Sequence, residues 1–129
     1  MLPHLSNPIY RDEEAARAYI EALRWPTGPL CPHCGALDDA TPMKGKSTRD
    51  GVWKCRTCRK PFSVTVGTEF ERTRIPLSKL LLASYLLSSA RRTSVRQLHL
   101  RLGINYRSAL LMTRRMRVAR SMSGLLADR

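Results

Sequence analysis

The sequence predicts a small α+β protein: a four-cysteine zinc ribbon of antiparallel strands, preceded by one helix and followed by a three-helix helix-turn-helix unit. Three observations predict it. The four cysteines fall in two pairs, Cys31-x-x-Cys34 and Cys55-x-x-Cys58, with 20 residues between the inner members. That is the spacing of a four-thiolate zinc ribbon. Apolar residues alternate after the second pair, as in strands, and recur at helical spacing on both sides of the ribbon. Charge is lopsided: residues 1–70 carry 10 basic and 8 acidic side chains, whereas residues 71–129 carry 13 and 2.

At 129 residues, with only 6% aromatic side chains, the chain makes one ordinary domain or two very small ones. The net charge of +13, of which +11 lies in the second half, calls for a polyanionic partner, nucleic acid before membrane. The longest uncharged apolar stretch, around Leu80 to Leu87, is far short of the roughly 20 residues that span a bilayer. The N-terminus runs straight into Asp12, Glu13 and Glu14 without the apolar core of a signal peptide, so a cytoplasmic location is expected.

In chain order, residues 1–26 hold a tail and a short helix. Asp12, Glu13 and Glu14 open it, favourably for the helix dipole; Ala16, Tyr19, Ile20 and Leu23 share one face, and Pro26 ends it. Residues 27–72 form the ribbon. Each cysteine pair occupies a turn that aims two thiolates at one metal, and Gly35 supplies the left-handed conformation after the first. Two disulfides are the alternative, disfavoured in a reducing compartment. Four thiolates close the coordination sphere of a single Zn2+, so the site is structural and without catalysis. His33, inside the first pair, reads as a solvent-facing turn residue. Val52, Phe62, Val64 and Val66, with Ser63 and Thr65 between, supply the strand pattern.

The insert between the knuckles contains Gly45-Lys46-Ser47, a fragment of a phosphate-binding loop. The full motif needs a glycine where Ala40 stands, which argues against nucleotide binding. Lys44, Lys46, Arg49, Lys54, Arg56, Arg59 and Lys60 are placed either to touch phosphates or simply to solvate a loop.

Residues 73–120 form the helical unit. Pro76 fits the first position of a helix that is apolar nearly all round, from Leu77 to Leu87, as a central bundle helix should be. Ser94-x-x-Gln97 is a capping box for a second helix with Val95, Leu98 and Leu102 as its buried stripe, and Gly103 closes it. Asn105 caps a third helix. On it Ala109, Met112, Met116 and Ala119 face inward, while Tyr106, Arg107, Leu110, Arg114 and Arg117 lie opposite. Helix, glycine turn and basic helix read as helix-turn-helix. Tyr106, Arg107 and Leu110 are set to reach base edges and the later arginines phosphate, with Arg91, Arg92, Arg96 and Arg101 flanking the groove. A helical hairpin with a solvated basic face is the alternative. Residues 121–129 are a tail.

The run from Leu23 through Trp25-Pro26 and Cys31-Pro32-His33-Cys34-Gly35 resembles the transposase zinc-ribbon domain of bacterial insertion-sequence transposases. So do Trp53-Lys54-Cys55-Arg56-Thr57-Cys58, Phe62-Ser63, Gly67-Thr68 and Arg74-Ile75-Pro76-Leu77. The likeness is densest over residues 23–77 and extends over 78–120. It implies recognition of an element's DNA ends by the ribbon and a following helix-turn-helix, in the setting of DNA transposition and recombination. In such transposases a separate RNase H-like domain with an acidic triad cuts and joins strands. Here Glu71 and Asp128 are the only acids after Phe70 and cannot assemble a two-metal site, so no catalytic centre is expected within this chain. Double-stranded DNA is the implied partner, with a catalytic transposase subunit or a second copy of the chain as protein partner. A stand-alone transcriptional regulator and a protein-interaction adaptor are the rival readings. RNA binding is weaker still, because no aromatic stacking platform is visible.

Overall fold

The computed structural model describes residues 3–45, 50–68, 70–71, 73–88 and 93–119, with the backbone alone for 88 and 117–119. Among these, four α-helices and three short strands are laid out as the α+β class requires. Helix α1 spans Glu13–Arg24, strands β1, β2 and β3 span Ala40–Pro42, Trp53–Cys55 and Pro61–Phe62, and helices α2, α3 and α4 span Leu77–Ser88, Val95–Leu102 and Tyr106–Ala119. No described helix is long and apolar enough to cross a membrane.

A 3-10 turn at Pro8–Tyr10 leads into α1. The Asp12 carboxylate caps α1, accepting from the backbone N–H groups of Glu14 at 3.0 Å and Ala15 at 3.4 Å. These satisfy two donors that have no partner within the helix. Ala16 and Ile20 are buried as the helical spacing predicts, whereas Leu23 is 41% exposed. The expected inward position of Leu23 is corrected because the end of α1 is held instead by its neighbours Arg24 and Trp25. The guanidinium of Arg24 donates to the carbonyl oxygens of Val64 and Val66, and Trp25 is buried edge-on to Phe62 and Trp53.

The sheet is antiparallel in the order β1-β2-β3, with Thr41 opposite Lys54 and Trp53 opposite Phe62. β1 is not visible in the sequence pattern: three residues ending in proline carry almost no periodicity. Pro42 is tolerated because β1 is an edge strand, where a missing N–H costs no ladder bond. The expected strand through Val64 and Val66 is also corrected. β3 stops at Phe62, and the chain turns, with Val66 N–H bonded to Ser63 O at 3.2 Å and Thr68 N–H to Thr65 O at 3.1 Å. Phe62 and Val64 are buried all the same. Thr68 locks this turn, its hydroxyl donating to Thr65 O at 2.5 Å and accepting from Phe70 N–H at 3.2 Å.

α2 starts at Leu77, with Pro76 one residue earlier, where its carbonyl accepts from Leu80 N–H at 3.1 Å. The first helical position expected for Pro76 is thus shifted by one. The free N–H groups of this helix are met from a distance. Glu13 accepts from Leu77 N–H at 2.8 Å and Ser78 N–H at 2.9 Å across more than 60 residues of sequence. Tyr10 packs edge-on to Tyr85 at 5.5 Å. α1 thereby touches both the sheet and α2, and one buried apolar cluster runs from Ile9 through Cys31, Cys55 and Phe62 to Leu81, Leu98 and Met116.

Candidate metal centre and nucleic-acid interface

The two cysteine turns share one backbone scheme. In the first, Gly35 N–H bonds to Cys31 O at 3.0 Å and Cys31 N–H to Ala36 O at 3.0 Å. In the second, Arg59 N–H bonds to Cys55 O at 2.9 Å and Cys55 N–H to Lys60 O at 3.1 Å. Each turn closes on a residue in the left-handed region, Gly35 at φ 80° and Arg59 at φ 62°.

This folding brings four sulfur atoms within 4.8 Å of one another. Cys31 and Cys58 Sγ are 3.6 Å apart, and Cys34 and Cys55 Sγ 3.5 Å. A disulfide needs about 2.05 Å, so the thiols are free. Zinc–sulfur bonds of about 2.3 Å in a tetrahedron demand sulfur separations of about 3.8 Å, which these match. The four cysteines are a site for one zinc ion.

The thiols are unequal. The Cys58 backbone N–H, 3.5 Å from Cys55 Sγ, is the leading cause that holds Cys55 down at about 7, against the opposing effect of desolvation. Cys34 is drawn down by the Ala36 N–H but pushed up to about 12 by desolvation and hydrogen bonding to the other three thiols. Zinc therefore has to displace protons to bind, and does so most easily at Cys55. His33 is exposed, outside the ligand set, its Nε2–H donating to Pro61 O at 3.2 Å.

On the helical side, the capping box is formed: Gln97 N–H donates to Ser94 Oγ at 3.1 Å, and the Gln97 side chain accepts from Ser94 N–H at 3.0 Å. Gly103 closes α3 at φ 67° with its N–H on His99 O. Asn105 caps α4, its Oδ1 accepting from Ser108 N–H at 2.7 Å. Within the turn, His99 Nδ1–H donates to Ile104 O, and its ring meets Tyr106 edge-on at 6.2 Å.

Ala109, Met112 and Met116 of α4 are buried as predicted, and so is Thr113, whose hydroxyl donates to Ala109 O at 2.7 Å. Tyr106, Arg107 and Arg114 are exposed, Leu110 is half-buried, and Arg96 and Arg101 of α3 are exposed. Leu111, absent from the expected outer face, is 46% exposed. Its place one turn after Arg107 on the helix is the signal that could have found it. The side chains of Arg117 and Ala119, and residues Lys46, Ser47, Arg49, Arg91, Arg92, Arg120 and the tail, lie outside the described residues.

Two cysteine turns on a three-stranded antiparallel sheet, with four sulfurs at zinc spacing, define a zinc-ribbon protein. Residues 11–61 match the transposase zinc-ribbon domain. The chain is also similar to an uncharacterized protein in transposable element ISH50 of Halobacterium salinarum, 29% identical over 96 residues, which is 74% of this chain and 32% of that protein. This chain's matched part thus spans about one third of the relative's length. No solved structure matches. Over those residues the ribbon is similar to transposase zinc-ribbon domains, and the longer similarity is to a transposable-element protein.

Proposed function

We propose that the chain is the DNA-recognition part of a transposition system, binding the ends of a mobile element without a catalytic centre of its own. The division of labour follows the expected boundaries: residues 1–26 join the parts, 27–72 hold zinc, 73–120 read DNA and 121–129 form a tail. The observation that carries this reading is the α3–α4 turn. Gly103 and Asn105 fix a short helix against a second whose outer face presents Tyr106, Arg107 and Arg114 within the strongly basic half of the chain. Tyr106, Arg107 and Leu110, near the start of α4, are assigned to base edges; Arg114, Arg117, Arg96 and Arg101 are assigned to phosphates. A catalytic transposase subunit or a second copy is the protein partner in this reading.

The test is fluorescence anisotropy with the zinc-loaded chain and duplexes carrying the element's terminal repeats or scrambled sequence. Steep loss of affinity with salt is expected, about −0.9 in log–log slope per neutralised phosphate. Arg107→Ala is expected to cost about 1–3 kcal/mol on the specific duplex. A flat salt response, or equal binding by an Arg107→Ala, Arg114→Ala double variant, would overturn the reading in favour of a protein-interaction adaptor. Preference for a promoter over element ends would make the chain a regulator.

A further inference from the structure

The ribbon carries a second charged feature that the helix-turn-helix reading does not use. Thr41, Lys54, Cys55, Arg56 and Arg59 line an open depression of about 300 Å³. The register explains it: Thr41 lies directly opposite Lys54, so both side chains share one face of the sheet. Lys54 and Arg56 flank Cys55, which is fully buried, and both are exposed, as is Arg59. Three cations and a hydroxyl thus line the depression, and no described carboxylate does. The nearest acid in sequence, Asp39, accepts a hydrogen bond from the Thr57 hydroxyl at 2.5 Å.

Arg59 brings the second observation. It occupies the left-handed position of the second cysteine turn at φ 62°, where the equivalent residue of the first turn is Gly35. Glycine adopts that conformation freely and a side chain does not. Asp38, at φ 52°, is the other described non-glycine residue in that region; at Arg59 the strained position places a guanidinium beside Lys54 and Arg56. An outlier of this kind points to a role for the side chain.

We propose that this depression is a second anion site, taking a phosphodiester group of duplex DNA, so that the ribbon grips the backbone while α4 reads the groove. The inference rests on the DNA-binding reading above and extends it to a different surface. It assigns Lys54, Arg56 and Arg59 to positioning without sequence selectivity, since phosphate contacts carry no base information. The competing role for the same cations is compensation of the zinc–thiolate centre, where four thiolates outweigh the charge of one zinc ion. That role would appear in zinc affinity and leave DNA binding alone.

The experiment compares the zinc-loaded full chain with Arg59→Gly and with a Lys54→Gln, Arg56→Gln double variant, using duplexes of element-end and of scrambled sequence, each roughly three helical turns long, across a potassium chloride series. Arg59→Gly suits the backbone, so it folds at least as well as the parent and removes only the charge. The expected result is a log–log salt slope shallower by about 0.9 for each phosphate that is no longer neutralised, with the same fold loss of affinity on specific and scrambled duplexes. Thermal stability should not fall in either variant, and zinc content should be unchanged. An unchanged slope and affinity in both variants would overturn the second site; if Arg107→Ala, Arg114→Ala still abolished binding, the function itself would stand. Lowered zinc affinity with intact DNA binding would overturn it in favour of charge compensation. Failure of the parent chain to bind any duplex would remove both proposals together.

Discussion

The two cysteine turns have the same hydrogen-bond frame and opposite settings. Around Cys31 and Cys34 the flanking Leu30 and Leu37 are 38% and 56% exposed, and the left-handed position belongs to Gly35. Around Cys55 and Cys58 the turn grows out of the central strand β2, whose Trp53 pairs with Phe62, and the left-handed position belongs to Arg59. One frame built twice suits a shared metal, because two sulfurs from each turn must converge on one ion. What differs is what surrounds the frame. The second turn is supported by the sheet and by α1, which fastens to β2 through Trp53 Nε1–H donating to Glu21 Oε2 at 3.0 Å.

Removing the metal should erase this difference, and it carries the largest effect. Structural zinc contributes on the order of 10 kcal/mol at neutral pH. Chelation followed by circular dichroism and hydrogen exchange is expected to open both turns. Protection should also fall in α1, whose Trp25 and Trp53 contacts depend on the sheet. Acid should act in the same direction. The Cys55 thiolate is favoured down to about 7, so its contribution is present above the ordinary thiol value and is lost as pH falls through about 7. Zinc affinity, read by competition with a chromophoric chelator, should fall by up to about tenfold per pH unit for each thiol proton displaced.

Substitution at the left-handed positions sharpens the comparison. Gly35→Ala should lower stability by about 1–2 kcal/mol, since a Cβ is forced into the left-handed region. Thermal unfolding of the zinc-loaded chain reads this directly. A third test concerns the link between the ribbon side and α2. Glu13→Gln replaces a charged acceptor with a neutral one at the start of that helix and should cost about 1 kcal/mol, measured by urea unfolding. Smallest is Arg59→Gly, expected to raise stability by less than about 1 kcal/mol, because relief of strain is partly offset by the greater freedom of glycine in the unfolded chain. Equal penalties at Gly35 and Arg59 would mean that packing around the second turn, not its conformation, sets its energy.

At the other end of the pH scale, Tyr10 is pushed up to about 12, first by burial and then by Tyr19 and Tyr85. Its phenol donates to Pro3 O at 2.6 Å. The neutral form is the one the fold holds, so this contribution is intact below about 10 and is lost as pH rises through about 12.

Much of the molecule is legible in the residues themselves. The four zinc ligands follow from two local spacings, since a Cys-x-x-Cys turn sets its own geometry. Ser94 with Gln97, Gly103 and Asn105 mark helix ends because each acts on backbone groups within four residues. The inward face of α4 follows from the 3.6-residue period, which any helix imposes on its neighbours. Other features depend on groups far apart in sequence. β1 exists only because β2 offers Ala40 to Pro42 a partner. Val64 to Gly67 turn away from the sheet where Arg24, some 40 residues earlier, takes up the Val64 and Val66 carbonyls. The start of α2 is completed by Glu13, a residue whose own sequence context reads simply as the first turn of α1. Sequence alone determined the metal site, both ends of α3 and the start of α4, where the interacting groups are near neighbours along the chain. Tertiary structure alone decided the sheet edge, the cap shared between α1 and α2 and the clustering of Lys54, Arg56 and Arg59 beside Thr41, because those depend on which distant segments fold against one another.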